Sequence, residues 1–242
     1  MDPQTTTVLA DRKAVAEEAA VALVDKLNEL TEKVTDRLID LAVAGGFVST
    51  DVLAAVRPHI DKVDWSRIRV WAVDERWVHA GTDERNAIAA QRALFDLTPD
   101  AKLRWLPASD DGLSPHEAVV QSEEYWNREI GHRGVDLALL GMGEDGHVAS
   151  LFPHHKELDM EGPVLFVLDS PKPPSERLTV SMSVLLEAHE RWVLTAGEGK
   201  AEAIGAVFSD DPDERAWPIA ALRVPGTHWW MDVAAASMIE GV

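Results

Sequence analysis

VDLALLGMGEDGHVASLFP, residues Val135 to Pro153, runs from an apolar strand-like segment into glycines spaced G-x-G-x-x-G, namely Gly141, Gly143 and Gly146. A turn of this kind after a strand is how dinucleotide-binding folds seat a pyrophosphate on a helix N-terminus. Asp169, at the end of VLFVLD, even falls where such folds keep their ribose-binding acid. Three features oppose that reading. Pro153 interrupts the chain soon after Gly146, and Gly162-Pro163 punctuates it again, so too little helix remains for a full crossover. Glu144 and Asp145 put carboxylates into a turn meant for an anion, which costs Coulomb energy in a poorly solvated site. His147 has no role in a pyrophosphate turn. The alternative is that the glycines let backbone approach a small substrate while the loop presents Asp145 and His147 as a pair. Imidazole titrates near neutrality, so a positioned His can take a proton from water while a neighbouring carboxylate fixes its tautomer. The plainest reading, a polar glycine-rich turn at the surface, stays open on these residues alone.

Outward from this stretch, strand-like runs alternate with helical patterns, which predicts an α/β layered fold with a mainly parallel, Rossmann-like sheet flanked by helices. Helices are expected from Asp11 to about Leu30, from a cap at Ser49 or Thr50 to about Val56, and from Asp83 to Leu97. Ser114-x-x-Glu117 is a capping box opening another that runs to about Ile130. Strands are expected at Leu38–Ala44, Arg67–Val73, Leu103–Leu106, the opening stretch, VLFVLDS, RLTVSM, RWVLTA and HWWMD. A short helix near Val184, another from about Lys200, and VAAASMI complete the pattern. No repeat or linker divides the chain, so residues 1–242 read as a single domain. In open parallel sheets the ligand crevice lies at the carboxyl ends of the strands. Gly45-Gly46, Asp74-Glu75-Arg76, Gly141 to His147 and Gly197 to Lys200 all follow predicted strands, so they are expected to converge.

Composition narrows the function. With 23 Lys and Arg against 42 Asp and Glu, the formal net charge is −19, which opposes binding to nucleic acid or to an anionic membrane. Any anionic ligand must be held by a few placed cations or backbone amides. No Cys is present, which excludes disulfides and thiol catalysis. No apolar run is long enough to span a bilayer, and MDPQTTTVLADRKAV lacks the pattern of a signal peptide, so a cytoplasmic location is expected. His154-His155 near His147 invites a metal reading, but no further ligand spacing supports it and none is expected. Trp229-Trp230 reads as packing.

The run GMGEDGHVASLFP resembles the signature of the 6-phosphogluconolactonases, Gly-x-Gly-x-(Asp/Glu)-Gly-His followed by a small residue and Ser-Leu-Phe-Pro. AVDERWV resembles the Asp-Glu-Arg block of that family, and DERNAIAAQRALF its Asn-bearing helix, with Asn86 as a cap or loop tie. DSPKPPSERLTVSM is similar to its Pro-Pro-x-x-Arg-(Ile/Leu)-Thr segment and TAGEGKAEAI to its late Gly-x-x-Lys helix start. The glucosamine-6-phosphate deaminases share the glycine turn but continue with an Ala-Phe-Asn-Glu-Pro type of sequence whose Glu takes part in ring opening; here Ala149 to Pro153 carries no carboxylate. The chain departs from the family at Ala44, where a hydroxyl residue usually precedes the two glycines.

The resemblance implies hydrolysis of 6-phospho-D-glucono-1,5-lactone without metal or cofactor. It implies His147 as general base and Asp145 as its orienting group. Arg177 and Lys200, with Gly45, Gly46, Asp74 and Arg76, are implied at the substrate and its phosphate, together with Gly143 and Gly146, and backbone amides in the Gly143 to Gly146 turn are the expected donors to the lactone oxyanion. Asp74 could instead hold Arg76. The expected partner is this small sugar-phosphate lactone, and the expected assembly a monomer or small homo-oligomer. A deaminase-like isomerase and a non-catalytic sugar-phosphate sensor are the rival readings.

Overall fold

Ten strands separate into two sheets in the computed structural model of the chain, which describes residues 5–239. The sequence reading of the first residues as no leader falls partly on residues 1–4, outside the described residues. Seven strands form a fully parallel sheet: β1 (Thr5–Leu9), β2 (Ile39–Val43), β3 (Ile68–Ala72), β5 (Lys102–Arg104), β6 (Leu137–Leu140), β9 (Glu190–Leu194) and β10 (Thr227–Asp232). Their spatial order is β1-β10-β9-β6-β2-β3-β5. The central strands β2 and β6 are buried throughout, as apolar runs covered on both faces must be. From β2 the chain steps to β3 on one side, and from β6 it steps to β9 on the other. The neighbours β2 and β6 therefore flank the topological switch point, where the carboxyl ends of the strands leave a crevice. The predicted fold class is found.

The second sheet is antiparallel, in the order β4-β8-β7, with β4 at Asp74–Arg76, β7 at Val164–Val167 and β8 at Arg177–Val180. Asp74-Glu75-Arg76, expected as the segment that follows a strand, is itself a short strand, and the expected strands VLFVLDS and RLTVSM pair with each other, RLTVSM also with β4, in this second sheet. Val73 makes the transfer: its amide donates to Val43 O at 3.1 Å and its carbonyl accepts from the Val180 amide at 2.8 Å, so it is bonded into both sheets. Local pattern cannot distinguish one long strand from two that meet at such a residue.

Helix α1 (Arg12–Lys33) is capped by Asp11, whose side chain accepts from the Ala14 amide, and packs its Val15, Ala19, Leu23 and Leu27 stripe inward. After Gly46 the chain forms a π-helical turn (Val48–Val52) leading into α2 (Leu53–Ala55). The expected Ser49 or Thr50 cap is absent, because both hydroxyls donate to Gly46 O and so extend the turn backwards. Helix α3 is shorter than expected, Asn86–Ala93, and α4 (Pro115–Glu129) carries the capping box foreseen at Ser114 and Glu117. Helices α5 (Met182–Glu187), α6 (Ala201–Val207) and α7 (Val233–Ala236) follow. Trp229 is fully buried against Phe208, which is the packing role expected of it. No helix among the described residues is long and apolar enough to cross a membrane.

Buried charge stitches the opposite, amino-terminal edge of the sheet. Asp40 accepts from Arg69 Nε (2.6 Å), Trp71 Nε1 (2.7 Å) and Arg133 Nη2 (2.6 Å). Asp136 accepts from Arg37 Nη1 and Nη2 and from the Asp40 amide. These bonds hold the Asp136 carboxyl below its usual range although burial pushes the other way. A carboxylate with a depressed native pKa stabilises the fold above its unfolded value, and that contribution is lost as pH falls through the acid range. Asp136→Ala is expected to cost about 3 kcal/mol by leaving Arg37 and the Asp40 amide unpaired. Denaturant titration at neutral pH measures this, and the gap to wild type should narrow at acid pH.

Candidate active site

Several chain segments meet over the carboxyl ends of β2, β6 and β9 and line a cavity of about 410 Å³. The loop after β2 contributes Ala44, Gly45 and Gly46; β4 contributes Asp74 and Arg76; the turn after β6 contributes Gly141, Gly143 and His147; Arg177 and Lys200 complete the wall. The expected convergence occurs. Of the predicted site residues, Asp145 touches the cavity through His147, and Gly146 lies away from it, packed on Trp217.

Asp145 Oδ1 and His147 Nδ1 are 2.5 Å apart, so the carboxylate orients the ring. Bonds from His147 and Lys172 hold the Asp145 carboxyl far below its usual range, against the opposing effect of burial. The ring rests 4.7 Å from that of Phe152, which is fully buried. Gly143 is required by contact rather than by backbone angle: a Cβ there would overlap both the His147 ring and the Asp145 carboxylate. Gly146 is required by its φ of 73°. Of the Gly143 to Gly146 amides expected as oxyanion donors, two are engaged inside the turn: Gly143 N–H donates to His147 O (2.9 Å) and Gly146 N–H to Gly143 O (3.2 Å). Gly143→Ala is accordingly expected to displace the pair and lower kcat by about 10²-fold, with thermal melting close to wild type.

The segment after the histidine is structural. Ser150 Oγ donates to Asp74 Oδ2 (2.8 Å) and its amide to Thr179 Oγ1 (3.1 Å), which ties the turn to the antiparallel sheet. Asp74 takes a second bond from Asn86 Nδ2 (3.0 Å), so its partners are Ser150 and Asn86 rather than Arg76. Asn86 sits where a Cβ on Gly45 would fall, which explains glycine at that position. Glu75, fully buried and unforeseen, accepts the Asn86 and Ala87 amides at the start of α3. It thereby fixes the helix that positions Asn86.

Cations dominate the rest of the wall. Arg76 and Arg177 are direct cross-strand partners in β4 and β8. Like charges placed opposite each other repel. Arg76 Nε is buried without a partner among the described residues. Arg177 spends Nε and Nη2 on the carbonyls of Lys172, Pro173 and Pro174, which leaves Nη1 for other contacts. Burial, first of all, pushes the Arg177 and Lys200 pKa values down. Lys200 Nζ donates to Met142 O at 3.0 Å.

Two cations were missed by sequence reasoning. Lys172 stands in the Pro-rich loop, with Nζ 3.1 Å from Asp145 Oδ1. Arg12 opens α1, lies over Phe47 and forms a two-pronged pair with Asp51. A cation in the first turn of a helix opposes its dipole, and that was the available signal for Arg12. His154 and His155 do not line the cavity, and no group of three or more His, Cys, Asp or Glu side chains among the described residues could hold a metal ion.

The fold and site define an α/β protein whose sheet switch point carries a cavity lined by His147 of an Asp-His pair and by several cations. The chain belongs to the family of glucosamine-6-phosphate isomerases and 6-phosphogluconolactonases, which residues 10–230 match. It is 34% identical to the 6-phosphogluconolactonase of Streptomyces coelicolor over 98% of this chain and 95% of that one. The crystal structure of 6-phosphogluconolactonase from Thermotoga maritima superposes with a TM-score of 0.79 at 25% identity, covering 95% of this chain and 99% of that one. A monomeric glucosamine-6-phosphate deaminase superposes equally, with a TM-score of 0.79 at 19% identity, covering 97% and 99%. Fold alone therefore does not separate the two chemistries.

Proposed function

We propose that the chain hydrolyses 6-phospho-D-glucono-1,5-lactone to 6-phosphogluconate, with His147 as general base. The observation that carries this reading is the Asp145-His147 pair at 2.5 Å, with His147 lining a cavity that Arg12, Arg76, Lys172, Arg177 and Lys200 also line. His147 Nδ1 faces Asp145, so Nε2 is the nitrogen left to take a proton from water. The hydroxide formed adds to the lactone carbonyl. Collapse of the tetrahedral intermediate breaks the bond to the ring oxygen, which takes the proton back from His147. Asp145 stays ionised throughout and favours the imidazolium formed in transit. The ester carbonyl is electrophilic enough for this route to need no metal.

The phosphate fits between Arg76 and Arg177. An anion there relieves the repulsion across β4 and β8 and gives the unpartnered Arg76 Nε an acceptor. Lys200 and the amides of Gly45 and Gly46 are the further donors, which makes the hydroxyl absent at Ala44 dispensable. Phe152 stands where the deaminase pattern carries its ring-opening Glu, and its buried ring against His147 supports the lactonase over the isomerase. The test supplies freshly made lactone and follows acid release above the spontaneous rate. Ammonia release from glucosamine 6-phosphate with no lactone turnover would overturn the reading.

A further inference from the structure

Lys172 is held with more care than a surface lysine requires. Its amide donates to Ser170 Oγ (3.2 Å), and its carbonyl accepts from that same hydroxyl (2.8 Å) and from Arg177 Nη2 (2.9 Å). Ser170 and Arg177 are both buried, and the Ser170 amide closes the loop on Ser175 O at 2.9 Å. The long side chain thus springs from a rigid base and ends on the catalytic pair. Its Nζ lies 3.1 Å from Asp145 Oδ1, the oxygen that His147 uses, and 3.4 Å from His147 Nδ1 itself.

Other charged groups surround the pair at longer range. Glu144 lies on the same turn, Asp74 and Arg76 come from β4, Arg177 from β8, Lys200 from the turn after β9 and Arg12 from α1. Among the described residues, Asp145 and Lys172 are the charged side chains within hydrogen-bonding distance of the ring. An ammonium at that position divides the charge of Asp145 between two cationic partners and repels a proton on the imidazole.

We propose that Lys172 is a positioning residue of the Asp145-His147 pair: its ammonium shares Asp145 Oδ1 with the imidazole and keeps His147 in the neutral form that accepts a proton. Arg177 acts one step further out, by fixing the loop from which Lys172 reaches. The assignment rests on the reading of His147 as general base.

The experiment compares wild type, Lys172→Met, Lys172→Arg and His147→Ala across pH 5 to 9. Lys172 is part-exposed, with 44% of its side chain accessible, so the methionine variant is expected to fold. In Lys172→Met the acid limb of kcat/KM is expected to move up by about one pH unit, with KM for the lactone near wild type. Lys172→Arg is expected to restore the wild-type limb. The His147 ring, followed by nitrogen NMR of histidine-labelled protein, should titrate higher in Lys172→Met by the same interval. An unmoved limb and an unmoved ring titration would overturn the proposal, as would a loss confined to KM, which would make Lys172 a substrate contact. Wild-type turnover by His147→Ala would instead overturn the general-base reading, so the two failures are distinguishable.

Discussion

His147→Ala is expected to lower kcat for 6-phosphogluconolactone by roughly 10²- to 10⁴-fold, to a rate close to spontaneous hydrolysis. The physical reason is that in the proposed mechanism Asp145 and His147 act as one unit: the carboxylate holds the Nδ1 side of the ring, and the proton would move on the other side. Removing the imidazole leaves a lactone bound among cations with no group to deprotonate water. Binding of the product, 6-phosphogluconate, should persist within about threefold, since that affinity comes from charge-assisted bonds to its phosphate. Stopped assays on fresh lactone, paired with calorimetric titration of the product, separate the two quantities. Wild-type kcat in this variant would remove His147 from the chemistry. Asp145→Asn is expected to fall in the same direction by a smaller factor, because an amide can still hold the ring but no longer favours the imidazolium.

Arg76→Ala is expected to reduce kcat/KM by roughly 10- to 150-fold, the equivalent of the 1.5–3 kcal/mol typical of hydrogen bonds to charged groups. The loss should appear mainly in KM. Arg76 faces Arg177 directly across β4 and β8, and its buried Nε lacks a protein partner. A phosphate bound there, as proposed, would resolve both the repulsion and the orphan donor. The discriminating measurement uses glucono-1,5-lactone without the phosphate, on which wild type and Arg76→Ala should differ by less than about twofold. An equal loss on both substrates would assign Arg76 to the lactone end or to loop structure, the latter through its bond to the Glu84 carbonyl.

Much of the site could be read without coordinates because its chemistry is local. Asp145 and His147 are two residues apart on one turn, and the glycines around them are demanded by contacts within that turn. Gly143 announced the close approach of two side chains that are its own near neighbours in sequence. The parallel sheet was equally legible, since buried central strands must be apolar whatever their partners. Legibility failed at the sheet edge and in the second sheet. The edge strand β1, Thr-rich and half exposed, carries no apolar run to mark it. Strand β4 has three residues, and what makes it a strand is its partner β8, about a hundred residues later.

The amino-acid sequence by itself determined the alternation of strands and helices, the Asp145-His147 pair, and glycines and cations that line the cavity, among them Gly45, Gly46, Arg76, Arg177 and Lys200. It did so because strand burial, turn geometry and acid-base pairing are set by residues close together in the chain. Only the tertiary structure decided that Arg76 opposes Arg177, that Asp74 serves Ser150 and Asn86, and that Lys172 reaches the pair. Each of these depends on strands that change sheet or on a loop clamped from another element. Such contacts are fixed by packing across long sequence separation, and no local pattern encodes them.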